Sequence, residues 1–439
     1  MSRSSSSPLS SSGSSVSSSS SLDLSSPEPP ASPFPSSELA SRLPLEIVSM
    51  IVKEATSYAT DLPTGGRHAA SRFCLVSKSL LPIARAGLYH TLTAEHCRDY
   101  EGDGAIGEFD PSDTSLGWSD DDRLRRTLKE NPSLGGFCRT LRIEIFDSDY
   151  QENLERHPVW VRIKDLLQAC PKVQALTVAS DDVFAEGALD GILAELADQG
   201  WGAQLSSLAV GYTGPGSLAF LSSLRCLQHL RLLGGNENAE AWPTPSSVPF
   251  SLLSLVNDRC ASSSFMETTI SHSKNTLRSV TLESSLMLAQ PALLPSLIVL
   301  EDLTVDLSDP SNTYDNTPSN ERLREVFEML GKCTTLKKLS FSASAMITES
   351  FRPLPLALLP SSITLLDISS SFDVTYSSVS HYLINSRHLH TLKCDRQDWS
   401  AEDKATIVAL CEELGVELQG RVLTYEEEWA LINPALRWK

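Results

Sequence analysis

The chain has 439 residues and a formal net charge of −19, and this length allows two or three domains with a sizeable core. The negative charge argues against nucleic acid and anionic membrane surfaces as partners, because both attract basic protein surfaces. The nine cysteines are spread singly without a CxxC pair, which predicts reduced thiols and neither a disulfide framework nor a zinc site. The chain has no signal-peptide core and no apolar run of membrane-spanning length. We therefore expect an intracellular protein that is cytoplasmic, nuclear or both.

The first 38 residues are mostly serine with scattered proline. Such a segment cannot bury enough apolar surface to offset the entropy of ordering. The sequence therefore predicts a disordered tail at 1–38.

Two helical patterns follow within residues 40–93. The first predicted helix carries two apolar stripes side by side, spaced as a helix requires. One stripe contains Leu43, Ile47, Met50 and Ile51, and the other contains Leu45, Val48 and Val52. Together they cover roughly 220° of the helix, about twice the stripe of an ordinary surface helix. This width predicts a partner on a second face.

The second helical pattern runs from Phe73 to Tyr89, after a loop marked by Pro63 and the Gly65-Gly66 pair. Its apolar residues alternate by three and four and so share one helical face. These residues are Phe73, Val76, Leu80, Ile83 and Gly87.

The two patterns together resemble the F-box in its fungal form. Leu43-Pro44-Leu45-Glu46-Ile47 is similar to the start of that family, and Leu75-Val76-Ser77-Lys78-Ser79-Leu80 matches its second block in part. Ser77 and Leu80 stand where the family usually has a cysteine and an aromatic residue. The resemblance implies docking on the Skp-type adaptor of a cullin ligase. The contacts that it implies are Leu43, Pro44, Ile47, Ile51, Leu75 and Val76.

Residues 94–118 read as an acidic loop. The stretch from Asp99 to Asp122 holds nine acidic residues and no basic one. Within it, residues 99–110 imitate a twelve-residue calcium loop, with Gly104 at its sixth position. The last position is Asp110 where a bidentate glutamate is usual, and Pro111 prevents an immediate exit helix. We expect a solvated loop, and calcium binding is the alternative.

From Cys138 onward, one pattern of apolar-x-x-apolar-x-apolar recurs, and helical patterns precede most of its copies. The helix that starts at Ser119 has a capping box with Asp122 and ends before Pro132. Others cover Val159 to Ala169 and Arg322 to Leu330. The copies are Cys138/Leu141/Ile143, Val173/Leu176/Val178, Leu205/Leu208/Val210, Leu227/Leu230/Leu232, Leu277/Val280/Leu282, Leu300/Leu303/Val305, Leu336/Leu339/Phe341, Ile363/Leu366/Ile368 and Leu389/Leu392/Cys394.

A strand plus a helix recurring many times is typical of a leucine-rich-repeat solenoid. We therefore predict an α/β fold, in which a short all-helical F-box precedes an irregular horseshoe at 119–439 with parallel strands on its concave face. The repeats are uneven, and the stretch between Leu227 and Leu277 contains either a degenerate repeat or an insertion. The chain resembles fungal F-box proteins with divergent repeats.

The strand residues between the buried ones should line the concave face and bind a target protein. These positions are polar, small and mixed in sign. The predicted target-binding residues are Arg142, Glu144, Thr177, Arg231, Glu283, Asp306, Asp367, Lys393 and Asp395.

The C-terminal end reads as a cap for the solenoid. Ser400 and Asp403 start a helix that stops at Gly415, and a strand-like segment follows from Val416 to Val422. Trp429 and Trp438 are predicted to cover the last repeat.

We find no catalytic motif in the sequence. His388, His390 and Cys394 stand close together, but Cys394 falls at a buried repeat position. We expect one structural cysteine and two surface histidines, with no metal, no cofactor and no enzymatic activity. The sequence thus predicts a non-catalytic substrate receptor of an SCF-type ubiquitin ligase. The alternative is a repeat scaffold that acts outside a ligase.

Overall fold

The computed structural model divides the chain into two units, Met1–Ile51 and Val52–Lys439. It describes residues 47, 50, 78, 81–97, 119–146, 158–180, 186–211, 214–233, 242–245, 248–258, 261–283, 287, 290–306, 320–342, 354–369, 374–395 and 399–420. The predictions for the 1–38 tail, the calcium-like loop and the final tryptophans lie outside these residues.

The described residues of the second unit form one parallel sheet of twelve strands, and their order in the sheet is their order in the chain. Every strand pairs in parallel with the strands that come before and after it. This stacking of successive units is a solenoid, so the predicted α/β repeat solenoid is confirmed, while most of the predicted F-box lies outside the described residues. The strands are β1 (Thr91–Cys97), β2 (Thr140–Phe146), β3 (Ala175–Ser180), β4 (Ser207–Gly211), β5 (His229–Leu233), β6 (Ser254–Asn257), β7 (Ser279–Glu283), β8 (Asp302–Asp306), β9 (Lys338–Ser342), β10 (Leu365–Asp367), β11 (Thr391–Lys393) and β12 (Glu417–Gln419).

Helices connect most strands to the next. The α-helices are α1 (Leu81–His90), α2 (Ser119–Glu130), α3 (Pro132–Gly135), α4 (Pro158–Ala169), α5 (Glu186–Asp198), α6 (Pro215–Ser223), α7 (Ser263–Ser273), α8 (Asn320–Leu330), α9 (Tyr376–Asn385) and α10 (Ala401–Leu414). Short 3-10 helices at Pro291–Ser296 and Leu356–Leu358 take the place of α-helices in two repeats. The uneven spacing of the sequence pattern does not follow from this alone, because the shortest step, from Ser207 of β4 to His229 of β5, contains the α-helix α6.

The residues of all nine predicted copies of the pattern are buried. In β4 and β8 the burial alternates along the strand, as expected for a sheet with one covered face. Equivalent residues stand opposite one another across the sheet, for example Leu141, Leu176 and Leu208. The core is therefore a stack of apolar layers, one layer for each repeat.

A recurring hydrogen-bond arrangement joins the repeats at the start of strands β3 to β11. The carbonyl of Arg278 accepts from the amides of Glu301 and Asp302, at 2.8 and 2.9 Å. The carbonyl of Glu301 in turn accepts from those of Lys337 and Lys338, at 2.8 and 2.9 Å. One carbonyl thus holds two successive amides of the following repeat, which carries the strand register from repeat to repeat.

The stretch between Leu227 and Leu277 contains the short strand β6, so it holds a degenerate repeat. Leu252 and Leu255 occupy the first two buried positions, and Asn257 takes the third at 3% exposure. The Asn257 Oδ1 atom accepts the backbone N–H of Ala261 at 3.1 Å. Trp242 and Ala261 also form an isolated parallel bridge.

The sheet begins earlier in the chain than the expected solenoid start at residue 119. Strand β1 pairs with β2 over its whole length, from Thr91 opposite Thr140 to Cys97 opposite Phe146. Its buried positions are Leu92 and Ala94. Ala94 stands opposite Ile143, the third apolar residue of its repeat. Because alanine is small, the sequence pattern of large apolar residues did not indicate this strand.

The predicted cap helix is present as α10. The Ser400 hydroxyl accepts the N–H of Asp403 at 3.1 Å, and Gly415 ends the helix with φ of 68°. Strand β12 follows and pairs with β11.

Candidate interaction surfaces

Two residues of the predicted adaptor-binding helix are described. Ile47 is 41% exposed and Met50 is 66% exposed. Single exposed apolar side chains are common on protein surfaces, so these two values by themselves do not identify an interface. The other implied adaptor contacts, Leu43, Pro44, Ile51, Leu75 and Val76, lie outside the described residues.

A continuous row of exposed or half-buried residues crosses the sheet from β1 to β12. We call it the central row, and each member stands opposite the next in the strand register. The row consists of Thr93, Arg142, Thr177, Ala209, Arg231, Val256, Thr281, Thr304, Ser340, Asp367, Lys393 and Gln419. The predicted face residues Arg142, Thr177, Arg231, Asp367 and Lys393 all belong to it. Their role in target binding stays a prediction.

The three cations of the central row each contact a carboxylate. Arg142 forms an ion pair with Glu144, two residues further along β2. The Nε atom of Arg231 lies 2.9 Å from Asp258 Oδ2, and the Nζ atom of Lys393 lies 3.8 Å from Asp367 Oδ2. Each of these cations therefore has a carboxylate beside it, which weakens its attraction for a phosphate or an acidic ligand.

A second row lies two residues beyond the central row, at the C-terminal ends of the strands. Glu95 stands opposite Glu144, and Glu283 stands opposite Asp306. We call this the acidic row, because its charged members are all carboxylates. It consists of Glu95, Glu144, Ala179, Gly211, Leu233, Asp258, Glu283, Asp306, Ser342, Ser369 and Asp395.

The opposite edge of the sheet, before the strands begin, carries the basic residues. Exposed lysines and arginines occupy the turns that join helices to strands. They are Lys172, Arg225, Lys274, Lys332 and Arg387. Nearby, Glu301 pairs with Arg278 at 3.1 Å and with Lys337 at 3.3 Å. Cations near helix C-termini interact favourably with the helix dipole, so folding alone accounts for this edge.

The structure places His388 and His390 at the surface and buries Cys394. This is the arrangement that the repeat register predicted, with the Cys394 side chain in the core. Within the described ranges, no three histidine, cysteine or acidic side chains group as metal ligands do. Nor does any helix in these ranges have the length and hydropathy needed to cross a membrane.

Most of the described thiols are buried, and three of them have a raised pKa. A hydrogen bond to Cys170, together with burial, raises the pKa of Cys138. Burial raises the pKa values of Cys333 and Cys411 to about 11. Since the thiolate is the reactive form of cysteine, these residues act as core side chains. Cys226 is the exposed exception in this set.

Sequence reasoning missed the members of these rows on the two unpredicted strands. Thr93 and Glu95 lie on β1, Val256 lies on β6, and Asp258 directly follows β6. The pairing of Asp258 with Arg231 had no signal in the sequence, since the two residues belong to different repeats.

No family model and no curated protein matches the chain. Among solved structures, it is similar to the yeast Rad7 and Elc1 complex, with 12% identity and a TM-score of 0.45 over 86% of this chain and 94% of that chain. It is also similar to the TLR13–ssRNA13 complex, with 13% identity and a TM-score of 0.29 over 62% of this chain and 42% of that chain. At these values neither protein informs the function of this chain.

Proposed function

We propose that the chain is a non-catalytic substrate receptor of an SCF-type ubiquitin ligase. Its F-box-like segment docks on a Skp-type adaptor joined to a cullin, and its solenoid holds a target protein. The observation that carries this proposal is the combination of a segment starting at Leu43-Pro44 with an exposed polar face across twelve strands. Such a chain has one surface for each partner.

The exposed apolar side chains of the F-box-like segment support its docking on an adaptor. Ile47 and Met50 lie at helical spacing and both expose large apolar side chains. Burial of a side chain of this kind in an interface contributes about 1.5–3 kcal/mol. The adaptor would supply the partner surface that the over-wide apolar stripe requires.

The exposed face of the sheet supports the binding of a target protein by the solenoid. It has no apolar groove among the described strand residues, and its central row consists mainly of small polar side chains and paired charges. A rigid parallel sheet can hold a target in one orientation. Such a receptor acts by holding the target close to the ubiquitin-loaded enzyme. Tethering the two raises their effective concentration, so the transfer no longer depends on a bimolecular encounter.

Adaptor capture tests the proposal. We expect the wild-type chain to retain a purified Skp-type adaptor in a pull-down, and a Leu43→Ala/Pro44→Ala variant to retain at least about tenfold less, since it loses packing at the interface. An Arg231→Glu variant is the matched control, because it alters the solenoid face and should leave adaptor binding unchanged.

Two results would contradict the ligase role. One is the absence of adaptor from the wild-type pull-down, and the other is equal retention by the wild type and the Leu43/Pro44 variant. If target capture through the solenoid persists in either case, the chain is a repeat scaffold that acts outside a ligase.

A further inference from the structure

Two buried cysteines from neighbouring repeats lie side by side in the core. Cys138 comes just before β2, and Cys170 comes directly after α4, in the turn that leads to β3. Both side chains are 0% exposed, and both are free thiols. Their sulfur atoms are within hydrogen-bonding distance, with the Cys138 thiol as the donor. The two thiols therefore form a pair enclosed by protein.

Close packing of two turns holds this pair together. Gly135, at the end of α3, lies so near the end of α4 that an added Cβ would overlap the carbonyl oxygen of Ala169 and stand 3.6 Å from the nitrogen of Cys170. The N–H of Cys138 donates to the carbonyl of Gly135 at 3.1 Å. The backbone of one repeat thus fixes Cys138 beside the Cys170 of the next.

The two thiols differ in their chemistry. The Cys138 sulfur accepts the backbone N–H of Leu92 and lies 3.4 Å from the carbonyl oxygen of Thr140. The hydrogen bond between the two cysteines lowers the pKa of Cys170, the acceptor, and raises the pKa of Cys138, the donor. Because the thiolate is the form that reacts with oxidants, Cys170 is the member of the pair that reacts first.

We propose that peroxide converts Cys138 and Cys170 into a disulfide that joins the repeat of β2 to the repeat of β3. The Cys170 thiolate attacks hydrogen peroxide, which breaks the O–O bond, releases hydroxide and leaves a sulfenic acid. The Cys138 sulfur then attacks the Cys170 sulfur, gives up its proton and displaces the sulfenic hydroxyl group as water. The two thiols are oxidised, one peroxide is reduced, and two water molecules leave in all.

The reaction requires little movement of the side chains. Sulfur atoms at hydrogen-bonding distance reach the disulfide bond length of about 2.05 Å by small side-chain rotations. Peroxide enters when the repeats open locally, and the pair lies near one end of the twelve-strand sheet, where opening costs less. Since both side chains are in the core, the disulfide changes the stability of these repeats and leaves the exposed face of the sheet intact.

Mass spectrometry of the full chain tests the proposal. The reduced wild-type chain is treated with hydrogen peroxide, alkylated and cut with trypsin without reduction. The disulfide would join the tryptic peptides 130–139 and 165–172. We expect this linked pair to be at least about tenfold more abundant than any link of the buried Cys333 or Cys411, because the distance between two thiols decides whether they can be bridged.

Thermal melts provide a second measurement. Peroxide should raise the melting temperature of the wild-type chain by about 5 °C, because the disulfide closes a loop of the unfolded chain, and dithiothreitol should abolish the rise. Cys138→Ser keeps a hydroxyl donor beside Cys170 without the second thiol, so it should show no rise, and its Cys170 sulfenic acid should be trapped by dimedone. Cys138→Ala repeats the melt in case the buried serine impairs folding. Cys411→Ala, at another buried cysteine, is the matched control and should keep both the link and the rise.

Three results would overturn the proposal. One is oxidation of Cys170 to a sulfinic acid in the wild-type chain without the linked peptides. Another is an equal abundance of links at Cys333 or Cys411. The third is a pair of unchanged thiols under conditions that fully oxidise Cys226, the exposed thiol among the described cysteines. None of these measurements involves the adaptor, so this inference and the ligase role can fail separately.

Discussion

At the scale of single residues, Asn257 shows how a polar side chain can occupy a core position of the repeat. The equivalent residues in neighbouring repeats are Leu232 and Leu282, and all three are buried. Asn257 is tolerated because its Oδ1 atom accepts the N–H of Ala261 at 3.1 Å, and a buried polar group that is hydrogen-bonded costs little. The bond fixes the chain just after β6, where Ala261 bridges to Trp242.

Replacement of Asn257 by alanine should lower the free energy of unfolding by about 1–3 kcal/mol, because a buried amide loses its acceptor. The matched control is Asn385→Ala, at an exposed position of α9, which should change stability by less than about 0.5 kcal/mol. Urea unfolding followed by circular dichroism measures both. Similar decreases in the free energy of unfolding in the two variants would show that the Asn257 hydrogen bond does not stabilise the fold.

Ion pairs on the sheet face also belong to this scale, and sequence reasoning finds only some of them. Arg142 and Glu144 are two residues apart on one strand, so their closeness is readable once the strand is predicted. Arg231 and Asp258 come from different repeats. Their contact needs the register of β5 against β6, and β6 itself was not predicted.

At the scale of elements, the strands with leucine-like residues at each buried position were all predicted, because two apolar residues separated by one position specify a half-buried strand. The strands β1 and β6 were not predicted. Ala94 in the first and Asn257 in the second stand where the pattern expects a large apolar side chain. In both cases the neighbouring repeats impose the strand conformation on a weak local signal.

The cap helix α10 and the helix α5 offer a matched pair of glycine substitutions. Gly415 ends α10 with φ of +68°, and an added Cβ would meet nothing within 4 Å there. Gly415→Ala should therefore cost about 1 kcal/mol through backbone strain alone. Gly191 lies inside α5, again with nothing within 4 Å, and Gly191→Ala should stabilise by about 0.5–1 kcal/mol.

Chemical denaturation of both glycine variants, beside the wild type, provides the measurement. The two effects must have opposite signs if the left-handed conformation of Gly415 is what ends the helix. A stabilising Gly415→Ala would mean that the helix simply extends through this position.

At the scale of the whole molecule, the strands of the sheet contact one another only in sequence order. In such a solenoid, stability is close to a sum of repeat stabilities and nearest-neighbour interface terms. The central repeats have two neighbours, while the repeat that contains β12 pairs with β11 alone among the described strands. Local opening should thus be easier at that end.

Hydrogen exchange followed by mass spectrometry tests this gradient. We expect backbone amides in β5 to β8 to exchange at least about tenfold more slowly than those in β12, because end repeats open at lower free energy. Uniform protection across the sheet would contradict the gradient and indicate that the solenoid unfolds as one cooperative unit.

Much of the central row was predictable at this scale, whereas the rest of the candidate surface was not. Stacked parallel repeats bring equivalent positions into line, so Arg142, Thr177 and Arg231 fall in one row as soon as the pattern is aligned. The difference in charge between the two edges of the sheet could not be predicted, because it depends on the register of all twelve strands, including the two unpredicted ones. The adaptor contacts, Ile47 included, rest on the resemblance alone and stay a prediction.

The strict strand order also makes the sheet a molecular ruler. Each strand advances about 4.8 Å, so the step from Arg142 on β2 to Lys393 on β11 covers about 40 Å along the sheet. A target segment that moves by a single repeat therefore shifts its lysines by about 5 Å relative to any enzyme held at the other end of the assembly. In a ubiquitin ligase, the binding register on the sheet would select which target lysine is modified.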